Sequence, residues 1–289
     1  MTLRQALTAA TARLADDPHL RGNARRDAEI LLLGQLGIGH AQLLANPDRE
    51  LTREEESSFL RAIDRRAANE PIQYILGKQE FYGLDFLVTP AVLIPRPETE
   101  HLVEAVLQLL PHDEPMEILD VGTGSGILAV TLARHLPHAT LTAVDISVNA
   151  IAIARKNAEQ HGVADRICFV VSDLLSSLDE APEHFDAIVS NPPYVAEIDR
   201  ASLAPEVREY EPATALFAGE TGLDIYHRLI PQAHNALKPN GLLALEIGQG
   251  QRDAIAELLA DWRDVSFLND LQQIPRVALA QRPPTPARR

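Results

Sequence analysis

A short run of residues, Ser190-Asn191-Pro192-Pro193-Tyr194, combines hydrogen-bond acceptors with an aromatic ring. It follows the apolar segment 186–189, which is typical of a buried strand. The two prolines fix the backbone and carry no N–H donors, while the Asn191 side chain adds a carbonyl acceptor. Tyr194 offers a flat face to a planar group. The pattern favours the binding of a planar –NH2 group, although a proline-rich turn that only ends a strand has the same composition.

A glycine-rich loop, Gly122-Thr123-Gly124-Ser125-Gly126, follows a strand pattern and leads into a helical pattern. Alternate glycines let the backbone turn tightly and approach a ligand, and the N–H groups at a helix start can donate to it. Asp145 ends the next predicted strand, where a carboxylate can accept hydrogen bonds from two ribose hydroxyls. The combination predicts an adenosine-containing ligand, with NAD and S-adenosylmethionine both open. A tight strand–helix connection that binds nothing is the alternative.

The elements that must position these residues alternate along the second part of the chain. We predict strands at 117–121, 140–145, 167–172, 187–190, 241–247, 265–268 and 277–279, and helices at 98–110, 127–135, 148–161, 225–237 and 252–260. Alternation of this kind predicts an α/β fold with a doubly wound, mostly parallel sheet and helices on both faces. The proline-rich tail 283–286 is expected to fray.

The first part of the chain has a different pattern. Residues 1–70 show only helical spacing, and Thr52 and Glu55 have the spacing of a capping box, which predicts a small helical bundle. Residues 71–95 are rich in strand formers and turn residues, which predicts a β-hairpin linker. We therefore expect domains at 1–70 and 96–289, joined by this linker.

The composition limits the class of protein. With 46% hydrophobic and 23% charged residues, the 289-residue chain resembles average globular proteins rather than disordered or fibrous ones. No apolar run approaches the ~20 residues that span a bilayer, and the N-terminus lacks the pattern of a signal peptide. We therefore expect a cytoplasmic protein without a membrane partner. The single cysteine, Cys168, allows no internal disulfide, and the histidines show no metal-ligand spacing, so no metal is predicted.

The charge is unevenly distributed along the chain. Residues 1–77 carry 10 basic and 11 acidic side chains, so nearly all of the net charge of −15 lies in residues 78–289. Proteins that bind nucleic acid through phosphates usually present a basic face. The charge therefore argues against direct nucleic-acid binding, and it is compatible with a basic protein partner or a neutral group.

Residues 120–126 resemble the first motif, and residues 191–194 the fourth motif, of class I S-adenosylmethionine-dependent methyltransferases that act on amino groups. Further segments narrow the resemblance to the PrmC/HemK family of protein-(glutamine-N5) methyltransferases: 71–77, 81–83, 93–100, 210–212, 216–219 and 245–248. The resemblance covers nearly the whole chain. It implies a Rossmann-like class I methyltransferase domain preceded by the helical bundle and the hairpin linker.

The resemblance also implies a reaction and the residues that perform it. The chain would transfer a methyl group from S-adenosyl-L-methionine to the glutamine of the Gly-Gly-Gln motif of class I peptide-chain release factors, which residues 1–70 would dock. The residues that would bind the cofactor are Gly122, Thr123, Gly124, Ser125, Gly126, Asp145, Asp173, Leu174 and Asn191. Those that would bind the glutamine are Asn191, Pro192, Pro193 and Tyr194, with Asn191, Pro192 and Tyr194 in catalytic roles.

Other functions share these motifs. A nucleic-acid amino-methyltransferase would stack a flipped adenine or guanine on Tyr194. A glutamine methyltransferase of a ribosomal protein would use the same chemistry, and a non-catalytic adaptor would keep only the fold. Three nearby residues remain open as well. Arg96 and Glu98 would either close over the ligands or start a helix, and Glu246 would either contact the substrate or pack in the core.

Overall fold

A computed structural model describes residues 1–178 and 182–284 of the chain. The tail that we expect to fray lies outside the described residues from residue 285 onward. Among the helices of the described part, none is both long and apolar enough to cross a membrane.

The chain forms two compact units, one of residues 1–78 with 202–210 and one of residues 79–201 with the chain from 211 onward. Apolar side chains of the first unit form one hydrophobic core, as expected for a helical bundle. Its first helices are α1 (Leu3–Ala15), α2 (Ala24–Leu36), α3 (His40–Ala45), α4 (Arg53–Ala67) and α5 (Ile72–Leu76).

The predicted capping box at the start of α4 is confirmed. The Thr52 Oγ1 atom accepts a hydrogen bond from the Glu55 N–H at 3.2 Å, and the Glu55 Oε2 atom accepts one from the Thr52 N–H at 2.8 Å. Both donors would otherwise lack a partner within the helix, so the pair fixes where α4 begins.

Arg66 explains why residues 202–210 belong to the first unit. Its buried guanidinium donates from Nε to Asp27 Oδ2 at 2.8 Å and from Nη1 to Glu206 Oε2 at 2.6 Å. The Tyr210 hydroxyl also donates to the backbone carbonyl at the end of α4, at 2.6 Å. Arg66 and Asp27 form the buried part of this network, whereas the Glu206 side chain is 39% exposed. A segment that the sequence pattern assigned to the second domain is therefore held by the bundle.

Residues 72–76 differ from the prediction. They form helix α5 rather than a strand of the hairpin linker. Ile75 is buried in the core of the bundle, and Leu76 fills the space beside Gly34, where a Cβ would lie 2.6 Å from it. Packing on the bundle thus outweighs the strand propensity of these residues. The hairpin is confined to β1 (Lys78–Phe81) and β2 (Leu84–Leu87).

The second unit is built on a seven-stranded sheet. Its strands are β3 (Met116–Val121), β4 (Ala139–Asp145), β5 (Ile167–Val171), β6 (Phe185–Ser190), β7 (Leu237–Glu246), β8 (Arg263–Asn269) and β9 (Pro275–Gln281). The remaining helices are α6 (Glu100–Leu109), α7 (Ile127–His135), α8 (Val148–Gln160), α9 (Pro205–Tyr210), α10 (Asp224–Ala236) and α11 (Arg252–Leu258). Of these, α9 belongs to the first unit.

The sheet confirms the predicted doubly wound, mostly parallel fold. Its strand order is β5-β4-β3-β6-β7-β9-β8, and among these seven strands β9 runs opposite to the other six. Ile118 packs with the helices of one apolar cluster and Leu119 with those of the other. Because successive residues of a strand face opposite sides, helices cover both faces. The strand order reverses between β3 and β6, where open α/β sheets bind ligands at the carboxyl ends.

Asn157 of α8 joins two parts of this unit. Its buried side chain accepts from the Leu87 N–H at 2.8 Å and donates to the carbonyls of Leu87 and Ser125 at 3.0 and 2.8 Å. The Asn157→Ala variant removes all three hydrogen bonds, each of which contributes about 0.5–1.5 kcal/mol net. We expect its free energy of unfolding to fall by about 2–4 kcal/mol in urea titrations. The Asn149→Ala change on the exposed face of α8 is the control, and equal losses in both variants would contradict this role.

Candidate active site

A cavity of about 330 Å³ lies at the carboxyl ends of β3, β4 and β6. This volume is in the range of small-molecule sites. Ten of the residues predicted from the sequence line it: Gly122, Thr123, Gly124, Ser125, Asp145, Asp173, Leu174, Asn191, Pro192 and Pro193. Their roles in binding stay predictions, but the fold brings them to one place.

The glycine loop is held to the sheet by its backbone. The N–H groups of Gly122 and Thr123 both donate to the Val144 carbonyl, at 2.8 and 2.9 Å. Gly122 has a φ of +73° and Gly124 a φ of +57°, which residues with a Cβ rarely adopt. The loop therefore brings the main chain to the cavity wall without side chains in between.

Gly126 supports the loop from a different position. Its φ is +85°, and a Cβ at this residue would lie 3.1 Å from Ala154 of α8. A glycine at this point lets α7 begin close against α8. The predicted contact of Gly126 with a cofactor stays a prediction, since the contact that the structure gives it is packing between helices.

Asp120 lies beneath the loop and was missed by the sequence analysis. Its Oδ2 atom accepts from Thr123 Oγ1 at 2.6 Å and from the Ala129 N–H at 3.1 Å. Burial raises the pKa of Asp120 to about 7, although these hydrogen bonds act to lower it. The carboxyl group thus ties the loop to the first turn of α7. The repeated glycines predicted the loop from the sequence. Asp120, which holds the loop in place, comes just before them in the chain.

Asp145 ends β4 at the cavity wall. Its Oδ2 atom accepts from the Gly124 N–H at 2.9 Å, and its Oδ1 atom accepts from the Ser147 N–H at 2.8 Å. A carboxylate has about four acceptor positions, so two hydrogen bonds leave capacity for a diol. Burial raises the pKa of Asp145, and these two hydrogen bonds oppose the increase.

Asp173 and Leu174 follow β5 and form another part of the wall. The Asp173 Oδ2 atom accepts from Arg228 Nη2 at 2.6 Å. Leu174 has a φ of +51° and packs on an apolar cluster of the sheet. Ile146, which is 61% exposed, lines the same cavity. These apolar side chains offer a surface on which a flat heterocycle can pack.

Asn191 ends a chain of three hydrogen-bonded side chains. Its Nδ2 atom donates to Thr99 Oγ1 at 3.0 Å, and Thr99 Oγ1 donates to Glu246 Oε2 at 2.6 Å. Thr99 and Glu246 are 0% and 1% exposed. Thr99 lies in the 3-10 turn Pro97–Thr99, whose Pro97 is at the predicted first position. Because the Asn191 nitrogen is engaged, its Oδ1 atom is the acceptor that this side chain offers to the cavity.

Glu246 is a buried carboxyl group with an unusual titration. Burial raises its pKa to about 7. Hydrogen bonds from Thr99 and Tyr194 and the charge of Arg276 act to lower this pKa, and Glu98 acts to raise it. The sequence allowed two roles for Glu246, packing in the core or contact with the substrate. The structure places it among polar partners next to Asn191.

Tyr194 lies beside this chain of hydrogen bonds. Its hydroxyl donates to Glu246 Oε1 at 3.3 Å, and its ring packs on the apolar cluster of β7 and α10. Burial and the nearby Glu246 charge raise the pKa of the Tyr194 phenol. Tyr194 is not among the described residues that line the cavity. Its predicted contact with a planar substrate group stays a prediction, and its observed contacts fix the turn that carries Asn191.

Arg96 closes another side of the cavity. Its guanidinium donates to the buried carboxylate of Glu211, whose other oxygen accepts from the Ile94 N–H at 3.2 Å. Phe217, from the segment that follows Glu211, also lines the cavity. The Arg200 guanidinium lies 3.7 Å from the centre of its ring. The sequence left the role of Arg96 open, and this ion pair joins two parts of the wall.

Gly222 lies against the turn of Asn191 and Tyr194. It has a φ of +76°, and a Cβ there would lie 2.2 Å from the Tyr194 carbonyl oxygen. The Gln251 Nε2 atom donates to the carbonyls of Tyr194 and Gly222, at 3.0 and 3.2 Å. A larger residue at 222 must therefore displace the turn.

We expect the Gly222→Ala variant to unfold at lower temperature and to lose activity, because the added methyl group displaces the Tyr194 carbonyl. Gly250 provides the control, since its φ is +83° and a Cβ there meets nothing within 4 Å. Both alanines are strained by about 1–2 kcal/mol from the left-handed backbone. Calorimetry and activity assays measure the additional loss at Gly222, and equal losses at both positions would contradict the steric account.

The residues of the cavity fit an adenosine-containing cofactor. They provide backbone N–H groups at a helix start, a carboxylate at the end of the neighbouring strand and an apolar wall. Within residues 1–178 and 182–284, no group of three or more His, Cys, Asp and Glu side chains has the arrangement of a metal site. Thr99, Asp120 and Glu211 lie in segments that carry the family resemblance, and the structure adds the contacts through which they support the cavity wall.

Comparison with known proteins identifies relatives of both parts of the chain. The family described as PrmC N-terminal domain matches residues 5–77, and the family described as Methyltransferase small domain matches residues 99–207. A release factor glutamine methyltransferase of Koribacter versatilis is 48% identical, covering 98% of this chain and 99% of that protein. The enzyme of the same name from Moorella thermoacetica is 45% identical with the same coverage.

Solved structures share the fold at lower identity. The hMettl16 catalytic domain in complex with MAT2A 3'UTR hairpin 6 aligns with a TM-score of 0.57 at 19% identity, covering 79% of this chain and 82% of that one. The Thermus thermophilus 16S rRNA N2 G1207 methyltransferase aligns with a TM-score of 0.54 at 21% identity, covering 71% of this chain and 49% of that one. At these identities the likeness supports the fold alone.

Proposed function

This chain belongs to the family of release factor glutamine methyltransferases, and we propose that it methylates the glutamine of the Gly-Gly-Gln motif in class I peptide-chain release factors. The methyl donor is S-adenosyl-L-methionine, and the acceptor is the side-chain amide nitrogen, N5. The observation that carries the proposal is the Asn191 amide, whose nitrogen is bound by Thr99. An acceptor oxygen is thereby offered to a cavity that also contains the glycine loop.

The cofactor supplies an electrophilic methyl group, and the protein supplies alignment. We assign the ribose to Asp145 and the methionine part to the glycine loop, because both lie at the carboxyl ends of adjacent strands. The apolar wall of Ile146 and Leu174 would pack on the adenine. This arrangement would leave the end of β6, with Asn191, for the acceptor.

An amide nitrogen is a poor nucleophile because its lone pair is delocalised into the carbonyl. Asn191 Oδ1 and the Pro192 carbonyl would accept hydrogen bonds from the substrate –NH2 group and fix its orientation. As positive charge develops on the nitrogen, these hydrogen bonds become stronger, which stabilises the transition state. S-adenosylhomocysteine would be the leaving group, and the nitrogen would lose one proton to solvent after the transfer, so no general base is required beforehand.

The helical bundle would dock the release factor. The proposal is supported by the match of residues 5–77 to the family described as PrmC N-terminal domain. A release-factor substrate would place the enzyme in the cytoplasm, where translation terminates.

A methyl-transfer assay with labelled S-adenosylmethionine tests this proposal. Unmethylated release factor, ribosomal proteins, tRNA and duplex DNA are supplied in parallel reactions. We expect label in the release factor alone. Label in tRNA or DNA would support a nucleic-acid methyltransferase instead, and label in a ribosomal protein would change the protein substrate but not the chemistry. Cofactor binding without label in any acceptor would contradict the proposed reaction.

A further inference from the structure

The hydrogen-bonded chain of Asn191, Thr99 and Glu246 has a direction. A carboxylate only accepts hydrogen bonds, so the single Thr99 hydroxyl proton is donated to Glu246 Oε2, at 2.6 Å. The Thr99 oxygen can then only accept from Asn191, which it does at 3.0 Å. Asn191 must therefore turn its nitrogen towards Thr99 and its oxygen away from it.

The surroundings hold this chain in place. The second carboxylate oxygen of Glu246 accepts from the Tyr194 hydroxyl at 3.3 Å, and its backbone carbonyl accepts from the Tyr226 hydroxyl at 2.7 Å. Thr99 and Glu246 lie 147 positions apart in the chain, and both are fully buried. A buried polar network with satisfied members is rigid. Because their network is buried, Thr99 and Glu246 can hold the Asn191 side chain in one orientation. An exposed network of the same side chains would be less rigid.

We propose that Thr99 and Glu246 are positioning residues that set the direction of the Asn191 side-chain amide and make the pocket select an –NH2 group over a carboxylate. The proposal rests on the proposed function, since it explains how glutamine is distinguished from glutamate. Asn191 Oδ1 accepts from a carboxamide but repels a carboxylate oxygen. If the Asn191 amide were free to turn, its nitrogen could face the substrate, where an N–H donor favours a carboxylate over an –NH2 group.

Protonation of Glu246 would reverse the chain. A protonated Glu246 can donate to Thr99, which then donates to Asn191 and turns the Asn191 nitrogen towards the cavity. Four titratable or charged groups surround Glu246. They are Tyr194 after β6, Tyr226 of α10, Arg276 of β9 and Glu98 before α6. Methyl transfer should therefore increase as pH rises through the pKa of Glu246, which is about 7.

Substitutions at Thr99 test the positioning role. We expect the Thr99→Val variant to lose kcat on the order of 10²-fold, because small displacements of a reacting group have effects of this size. Its dissociation constant for S-adenosylmethionine should stay unchanged, and the Thr99→Ser variant should recover most of kcat. The control is Thr131→Val, because Thr131 is also fully buried and its hydroxyl has no partner among the described residues.

A second readout separates positioning from a structural role. Binding of release factor with Gly-Gly-Gln is compared with binding of the same protein with Gly-Gly-Glu. We expect the unchanged enzyme and Thr131→Val to prefer the glutamine form, and Thr99→Val to lose this preference. Retained preference in a folded Thr99→Val protein would overturn the proposal.

The pH profile of kcat/KM tests the role of Glu246. Because Asp120 also has a pKa of about 7, the Glu246→Gln variant is needed to assign the acidic limb. We expect the limb in the unchanged enzyme and its loss in Glu246→Gln. A limb of equal midpoint in both proteins would overturn the proposal. Failure of the unchanged enzyme to methylate glutamine at any pH would instead contradict the proposed function.

Discussion

Replacement of Asn191 by alanine is expected to lower the rate of methyl transfer by about 10²–10³-fold, the effect of removing one preorganised group that stabilises charge in a transition state. The change removes the acceptor for the substrate nitrogen and leaves Thr99 without its donor. Single-turnover rates with saturating cofactor measure the loss directly. Binding of S-adenosylmethionine should change much less than turnover, because most of the residues that would bind it, including the glycine loop and Asp145, belong to other strand ends.

The control for this variant is Asn269→Ala, which removes an exposed asparagine of strand β8. It should retain full turnover. Circular dichroism and a thermal unfolding curve establish that Asn191→Ala is folded. Turnover close to that of the unchanged enzyme in a folded Asn191→Ala protein would remove Asn191 from the mechanism.

Replacement of Asp145 by alanine is expected to weaken binding of S-adenosylmethionine by about 10²-fold or more. A hydrogen bond to a charged group contributes about 1.5–3 kcal/mol, and two ribose hydroxyls would be affected. The change also removes the acceptor for the N–H groups of Gly124 and Ser147, so the loop loses support. Isothermal titration calorimetry gives the dissociation constant.

The control for Asp145 is Asp165→Ala, which removes an exposed carboxylate from the turn before β5. It should bind the cofactor like the unchanged protein. With saturating cofactor, Asp145→Ala should recover a large part of its kcat, since the acceptor site of Asn191 is intact. An unaltered dissociation constant in Asp145→Ala would show that the ribose is bound elsewhere.

The parts of the fold that the sequence predicted are those encoded by local patterns. The glycine loop lies between a strand and a helix whose ends differ by at most one residue from the prediction, because spacing and periodicity mark both. The capping box of Thr52 is equally local. The prediction of a strand at residues 72–76 was wrong because the strand formers there pack on the helical bundle. That contact is not visible in the local pattern.

The site was predictable to the same extent. Asp145 and Asn191 were predicted from the sequence because each follows a strand pattern with a chemically distinctive side chain. The hydrogen bonds that orient Asn191 were not, since Thr99 lies 92 positions from Asn191 and 147 positions from Glu246. The aromatic face of Tyr194 suggested stacking on a planar group, and that contact stays a prediction. The structure shows the Tyr194 hydroxyl bound to Glu246 and its half-buried ring packed against an apolar cluster.

The most direct test of the account is the position of the methyl group on a release factor. Purified chain is incubated with S-adenosylmethionine and unmethylated release factor, and the product is digested and sequenced by tandem mass spectrometry. A parallel reaction contains a release factor whose motif reads Gly-Gly-Asn, which places the amide one methylene closer to the backbone. We expect a single methyl group on the glutamine of Gly-Gly-Gln and none on the asparagine form. A methyl group on any other residue, or none with cofactor bound, would contradict it.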